Sequence, residues 1–129
     1  MNARQQRQRG SASVEFALGV ALVLTPLLLG MVDFGRYLSV GHTLSRAAHE
    51  GAFSASRGAD PTSAVASYVT QAGLDSSKLT LTLTPALTAA TRGDSMKLTV
   101  SYNLTGYALA AWGSLFPQKV SAVATTRHE

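Results

Sequence analysis

The chain has 129 residues, a formal net charge of +4, no cysteine, only 14% charged residues and a mean hydropathy of +0.12. That length holds one small domain plus an apolar segment and excludes two independent cores. The lack of cysteine excludes disulfides and thiolate metal sites. Arg4, Arg7 and Arg9 supply three of the four net charges, and the remaining cations are scattered, so no phosphate-tracking stripe is present and nucleic acid is excluded as a partner.

The basic leader gives way to Arg-Gly-Ser-Ala-Ser-Val-Glu-Phe at 9 to 16, and no charged residue follows from Phe16 to Val32. Those positions span about 25 Å as a helix, slightly less than a hydrocarbon core of about 30 Å. Including Ser11 to Glu15 closes the gap, but it puts a carboxylate at the membrane edge, which costs roughly 2.5–3.5 kcal/mol unless something neutralises it. Glu15 therefore calls for a partner. The reading is a leader at 1–10, a transmembrane helix at 11–36 and an exported part at 37–129. The arginine bias places the N-terminus in the cytoplasm. Asp33 and Arg36 mark the membrane exit, and Pro26 lies inside the apolar run. A cleaved secretory signal is the rival, but Leu-Gly-Met-Val-Asp-Phe-Gly-Arg after the run is a poor small-x-small cleavage site.

From Phe34 to about Arg57, apolar and small residues recur at helical spacing, so the membrane helix continues as an amphipathic stalk. Ala47, Gly51 and Ala55 form one i, i+4 row that lets a second backbone approach closely. Two uses stay open, a partner helix or the chain's own sheet, and the latter is favoured because most amphipathic faces point to a core. Arg57-Gly58-Ala59 ends the stalk. Asp60-Pro61 then caps and starts a second helix, with Val65, Tyr68, Val69 and Ala72 on one face and Gly73-Leu74 as its stop.

Beyond it the period becomes two. Leu79, Leu81 and Leu83 alternate with threonines, and Met96 to Leu104 repeats the pattern, which predicts two strands; a third is expected from Lys119 to Thr126. The fold class is α+β: a long N-terminal helix, one short helix and a small antiparallel sheet of about three strands. Tyr107, Trp112, Leu115 and Phe116 lie in the connection before the last strand. They read as a flap over the sheet, or as a subunit-contact patch carrying Trp112.

Chemistry-bearing constellations are sparse. His42 and His49 lie seven apart with no third ligand at helical spacing, so no metal is expected. No nucleophile elbow or phosphate-cradling loop appears, so the chain reads as a non-enzyme without cofactor or small-molecule substrate.

Gly10, four residues, then Glu15-Phe16 before an apolar helix resembles the prepilin-peptidase site of type IV pilin-like proteins. Ser-Val-Glu-Phe-Ala-Leu, the proline in the run, Val-Asp-Phe-Gly-Arg at its exit, Leu-Ser-Arg-Ala-Ala-His-Glu-Gly-Ala at 44 to 52 and the terminal Thr-Arg-His-Glu are similar to the TadE-like minor pseudopilins of Tad (tight adherence, Flp) pilus systems. The resemblance implies a pilin-like fold and a bacterial inner-membrane protein with a periplasmic domain that functions in pilus assembly and adhesion. It implies cleavage by a prepilin peptidase between Gly10 and Ser11, with Glu15 and Phe16 in recognition. Removing ten residues of the 129 leaves 119, with Glu15 fifth. The new ammonium at Ser11 would then pair with Glu15 of a neighbouring subunit. Implied partners are the peptidase, sibling pilins, the assembly platform and the bilayer, with Glu50 in an intersubunit role. The alternatives are an uncleaved single-pass protein whose exported domain binds an envelope partner, and a secreted small binding domain.

Overall fold

The computed structural model describes residues 3–106, 115 and 117–129, with side chains from Gly10 onward. Helix α1 (Ala3–Ser56) is continuous through both expected boundaries, residues 10 and 36. At about 1.5 Å per residue it is roughly 80 Å long. Pro26 removes one backbone donor, yet the helix resumes beyond it.

α1 ends where the sequence provides an end. Gly58 adopts φ +74°, the amide of Ala59 donates to the carbonyl of Ser54 at 3.0 Å, and that of Gly58 donates to Ala55 at 2.9 Å. Helix α2 (Pro61–Gln71) is capped by Asp60, whose carboxylate accepts from the Thr62 amide at 2.9 Å. It stops the same way as α1: Gly73 at φ +80° and Leu74 donating to Val69 at 3.0 Å. Both stops need a left-handed residue, and glycine adopts that conformation without a Cβ clash.

Three strands follow, β1 (Leu79–Thr84), β2 (Ser95–Asn103) and β3 (Lys119–Arg127), in one antiparallel sheet of order β1-β2-β3. The register sets Leu81 opposite Val100 and Val100 opposite Ala122. Even-numbered residues of β2 thus line the same face as the leucines of β1. Met96, Leu98 and Val100 are fully buried there, and Tyr102 nearly so. Across the opposite face Ser101 and Ser121 hydrogen-bond at 2.9 Å.

The stalk half of α1 lies on this sheet, against β2 and β3, and α2 packs beside it. Val40, Leu44, Ala47, Ala48 and Ala52 join Val65, Val69 and the β2 residues in one core. Of the two uses of the alanine face, the structure takes the internal one. Gly51 lies in the middle of it: a Cβ there would come within 2.4 Å of Val65 Cγ2 and 2.6 Å of Leu98 Cδ2. Only a hydrogen at that position lets α1, α2 and β2 meet.

The C-terminus closes the unit. Ser56, at the end of α1, has a carbonyl that accepts from the Glu129 amide at 3.0 Å and lies 3.2 Å from His128 Nδ1. His128 also exchanges backbone bonds with the turn before β2, donating to Asp94 and accepting from Gly93, while Arg127 Nε donates to the Gly93 carbonyl. An orphan helix-end carbonyl is satisfied by residues 72 and 73 positions away.

Candidate functional site

The candidate site is the first half of α1, the part left uncovered by the fold. Twelve large apolar side chains between Val14 and Val32 are 37–74% exposed, with Phe16 at 74% and Leu22 at 73%. Returning such surface to water carries a penalty on the order of 10–20 kcal/mol, as large as the whole stability of a typical domain. The segment is long and apolar enough to cross a membrane, it lies near the N-terminus, and none of it is buried within the molecule.

Gly10, Ser11, Glu15 and Phe16 all lie on this rod, helical and exposed. A Cβ added at Gly10 would meet nothing within 4 Å. Packing inside the chain therefore gives no reason for glycine at 10, although glycine in a helix costs about 1 kcal/mol relative to alanine. At Gly51 the opposite holds. The two glycines that the sequence singles out thus differ in kind: Gly51 is required by the fold, and Gly10 is not.

The two residues expected at the membrane exit differ in exposure. Asp33 is 6% exposed and engaged in a polar or electrostatic interaction, whereas Arg36, less than one turn later, is exposed. Asp33 is therefore the first buried residue along α1 among the described side chains. An aspartate beside an apolar run gives no local sign in the sequence of being enclosed.

Glu50 is exposed on the stalk, next to the buried Gly51. The two neighbours therefore face different surroundings, solvent for one and the α2–β2 core for the other. Trp112, with Tyr107 and Phe116, lies outside the described residues; Leu115 of the same connection is 78% exposed. His42 and His49 are exposed, and no group of three metal-ligating side chains occurs among the described residues. Phe53, also exposed, is covered on one face by the Arg57 guanidinium 4.0 Å from its centroid, a contact across the last turn of α1.

The carboxylates with shifted acidity lie outside the rod. Asp60 sits below the ordinary value of 3.8 because the Thr62 backbone amide, and then its hydroxyl, favour the charged form. Asp75 is lowered by Ser77 through its side chain and its amide. Both are helix or turn caps, so their shifts report local structure and not catalysis.

Residues 10–52 match the family model of TadE-like protein. Over that span, about a third of the 129 residues, the chain is similar to the TadE-like family. The match begins at Gly10, takes in the uncovered rod, Asp33 and most of the stalk, and ends at Ala52, one residue past Gly51. No curated protein and no solved structure matches the chain. The TadE-like span thus holds both halves of the contrast, the apolar rod and the face that nucleates the core. The short helix and the sheet lie outside it.

Proposed function

We propose that this TadE-like chain is a minor pilin or pseudopilin of a Tad pilus system, cleaved by a prepilin peptidase after Gly10 and acting in pilus assembly and adhesion without enzymatic activity of its own. The observation that carries this reading is the rod. Twelve exposed large apolar residues require a cover that the described residues do not supply, and either a bilayer or a bundle of like helices supplies one. A protein that moves from membrane to filament needs a segment suited to both.

Gly10 fits the processing step. Peptidases act on extended backbone, and glycine is the residue that most readily leaves a helix. Here it is the eighth residue of α1, ahead of the apolar run. No described side chain packs against it. Once Ser11 becomes the terminus, its ammonium is a cation close in sequence to Glu15, and a carboxylate from a neighbouring helix offsets the cost of burying either group alone. Leader arginines inside and the folded domain outside give the single-pass orientation in the inner membrane.

N-terminal mass analysis of the chain extracted from membranes containing the peptidase tests this: the expected product begins at Ser11. A product that still begins at Met1 would sink the processing step. Glu15→Ala is expected to retain cleavage while piliation falls, and full piliation in that variant would contradict the ion-pair account.

A further inference from the structure

Between α1 and α2 lies an open groove of about 670 Å³. Its α1 wall runs from Gly35 and Leu38 to His42 and Arg46, and Tyr68 and Gln71 form the α2 wall. That volume is in the range of binding clefts. No carboxylate lines it, and its chemistry is graded: Leu38, 45% exposed, and Gly35 give an apolar end, while the exposed His42, Arg46 and Gln71 give a donor-rich end. Gln71 is steered along α2 by its Nε2 bond to Ser67 Oγ at 3.1 Å, leaving its second amide hydrogen for a ligand.

We infer that this groove binds an acidic peptide segment with flanking apolar residues, its carboxylate held by Arg46 with help from His42 and Gln71, and its apolar side chain resting on Leu38 and Tyr68. Guanidinium–carboxylate pairing is bidentate and directional, so Arg46 fixes the position of the acid. Gly35 to Arg46 covers about 16 Å of helix axis, the reach of roughly five extended residues. A lipid phosphate fits less well. The apolar run ends at Val32, about 20 Å of helix before Arg46, and the headgroup layer is only about 5–8 Å thick on each side. Glu50, one turn beyond Arg46, is exposed but does not line the groove. The inference rests on the groove's own chemistry and not on the pilus reading, and binding is measured apart from piliation.

The test uses the full chain in detergent micelles, with amide shifts of Ser39, Thr43 and Gln71 followed by NMR. The probe is a blocked Leu-Glu-Leu-Glu-Leu peptide, compared with its glutamine counterpart, inorganic phosphate, and vesicles containing phosphatidylglycerol. Only the glutamate peptide is expected to move these amides. Arg46→Gln should weaken it about fivefold, the upper range for a solvent-facing pair. Arg46→Glu should abolish it. Both variants change an exposed side chain and should retain the wild-type far-ultraviolet spectrum. Equal binding of the glutamine peptide would overturn the inference, as would response to phosphate alone, response to vesicles alone, or undiminished binding in Arg46→Glu.

Discussion

The two halves of α1 have the same backbone conformation and similar apolar content, yet opposite surroundings. Between Val14 and Val32 the leucines and valines stand in the open; between Val40 and Ala55 the apolar residues that face the sheet are 0–4% exposed. The stalk half carries an apolar stripe, with His42, Arg46, His49 and Glu50 left outside it, and the chain supplies α2 and the sheet to cover that stripe. The rod half is apolar all round, and no single face could be satisfied by one small domain. A helix that is apolar on every side requires a surrounding medium or several partners, whereas a striped one needs only a neighbour. The boundary is Asp33, buried although it is an acid.

The largest effect that tests this contrast comes from a pair of identical substitutions. Leu44→Ala removes a fully buried side chain and should destabilise the folded domain by about 2–5 kcal/mol in urea unfolding of the micelle-bound chain. Leu22→Ala, on the rod, should leave that transition unchanged within about 0.5 kcal/mol. Comparable losses from the two would mean that the rod is part of the domain's core.

A smaller effect is expected at Gly51. Alanine there gains about 1 kcal/mol of helix propensity but must displace Val65 and Leu98, which costs about 1–3 kcal/mol. The net result should be destabilising in the same unfolding measurement, whereas Gly10→Ala, with open space around it, should be neutral or slightly stabilising. If Gly51→Ala stabilised the chain, the close meeting of α1, α2 and β2 would be wrong.

Acidity supplies the smallest effect. Asp60 and Asp75 have carboxyls that titrate lower in the folded chain than their ordinary 3.8. Their contribution is therefore complete above that value and fades as the pH falls through the depressed folded values. Unfolding followed from pH 6 down to pH 2 should show a loss confined to the region below about pH 4, reduced in Asp60→Asn. A loss already under way at pH 6 would point to other groups.

Much of the fold was legible because it is written in local patterns. Asp60-Pro61 and Gly73-Leu74 bracket α2 as expected, and the leucine–threonine alternation of 79 to 84 reappears as strand residues with half-buried and exposed positions in turn. The last strand runs one residue beyond its expected end, to Arg127. The candidate cleavage region was legible only as a motif, since Gly10, Ser11, Glu15 and Phe16 are all exposed and no core position in the fold betrays them. The groove beside Arg46 gave no signal in sequence, because its walls come from helices separated by a left-handed turn whose crossing geometry no periodicity encodes.

By itself, then, the amino-acid order determined the period of each element, its ends and the length of the apolar run, since these depend on side chains within a turn or two of one another. Tertiary structure decided what covers what. It turned Gly51 and its alanines toward Val65 and Leu98, enclosed Asp33, and brought His128 and Glu129 back to the Ser56 carbonyl. Those contacts join residues far apart in the chain. Burial is a property of the partner that arrives, and an apolar stripe states only that one is needed.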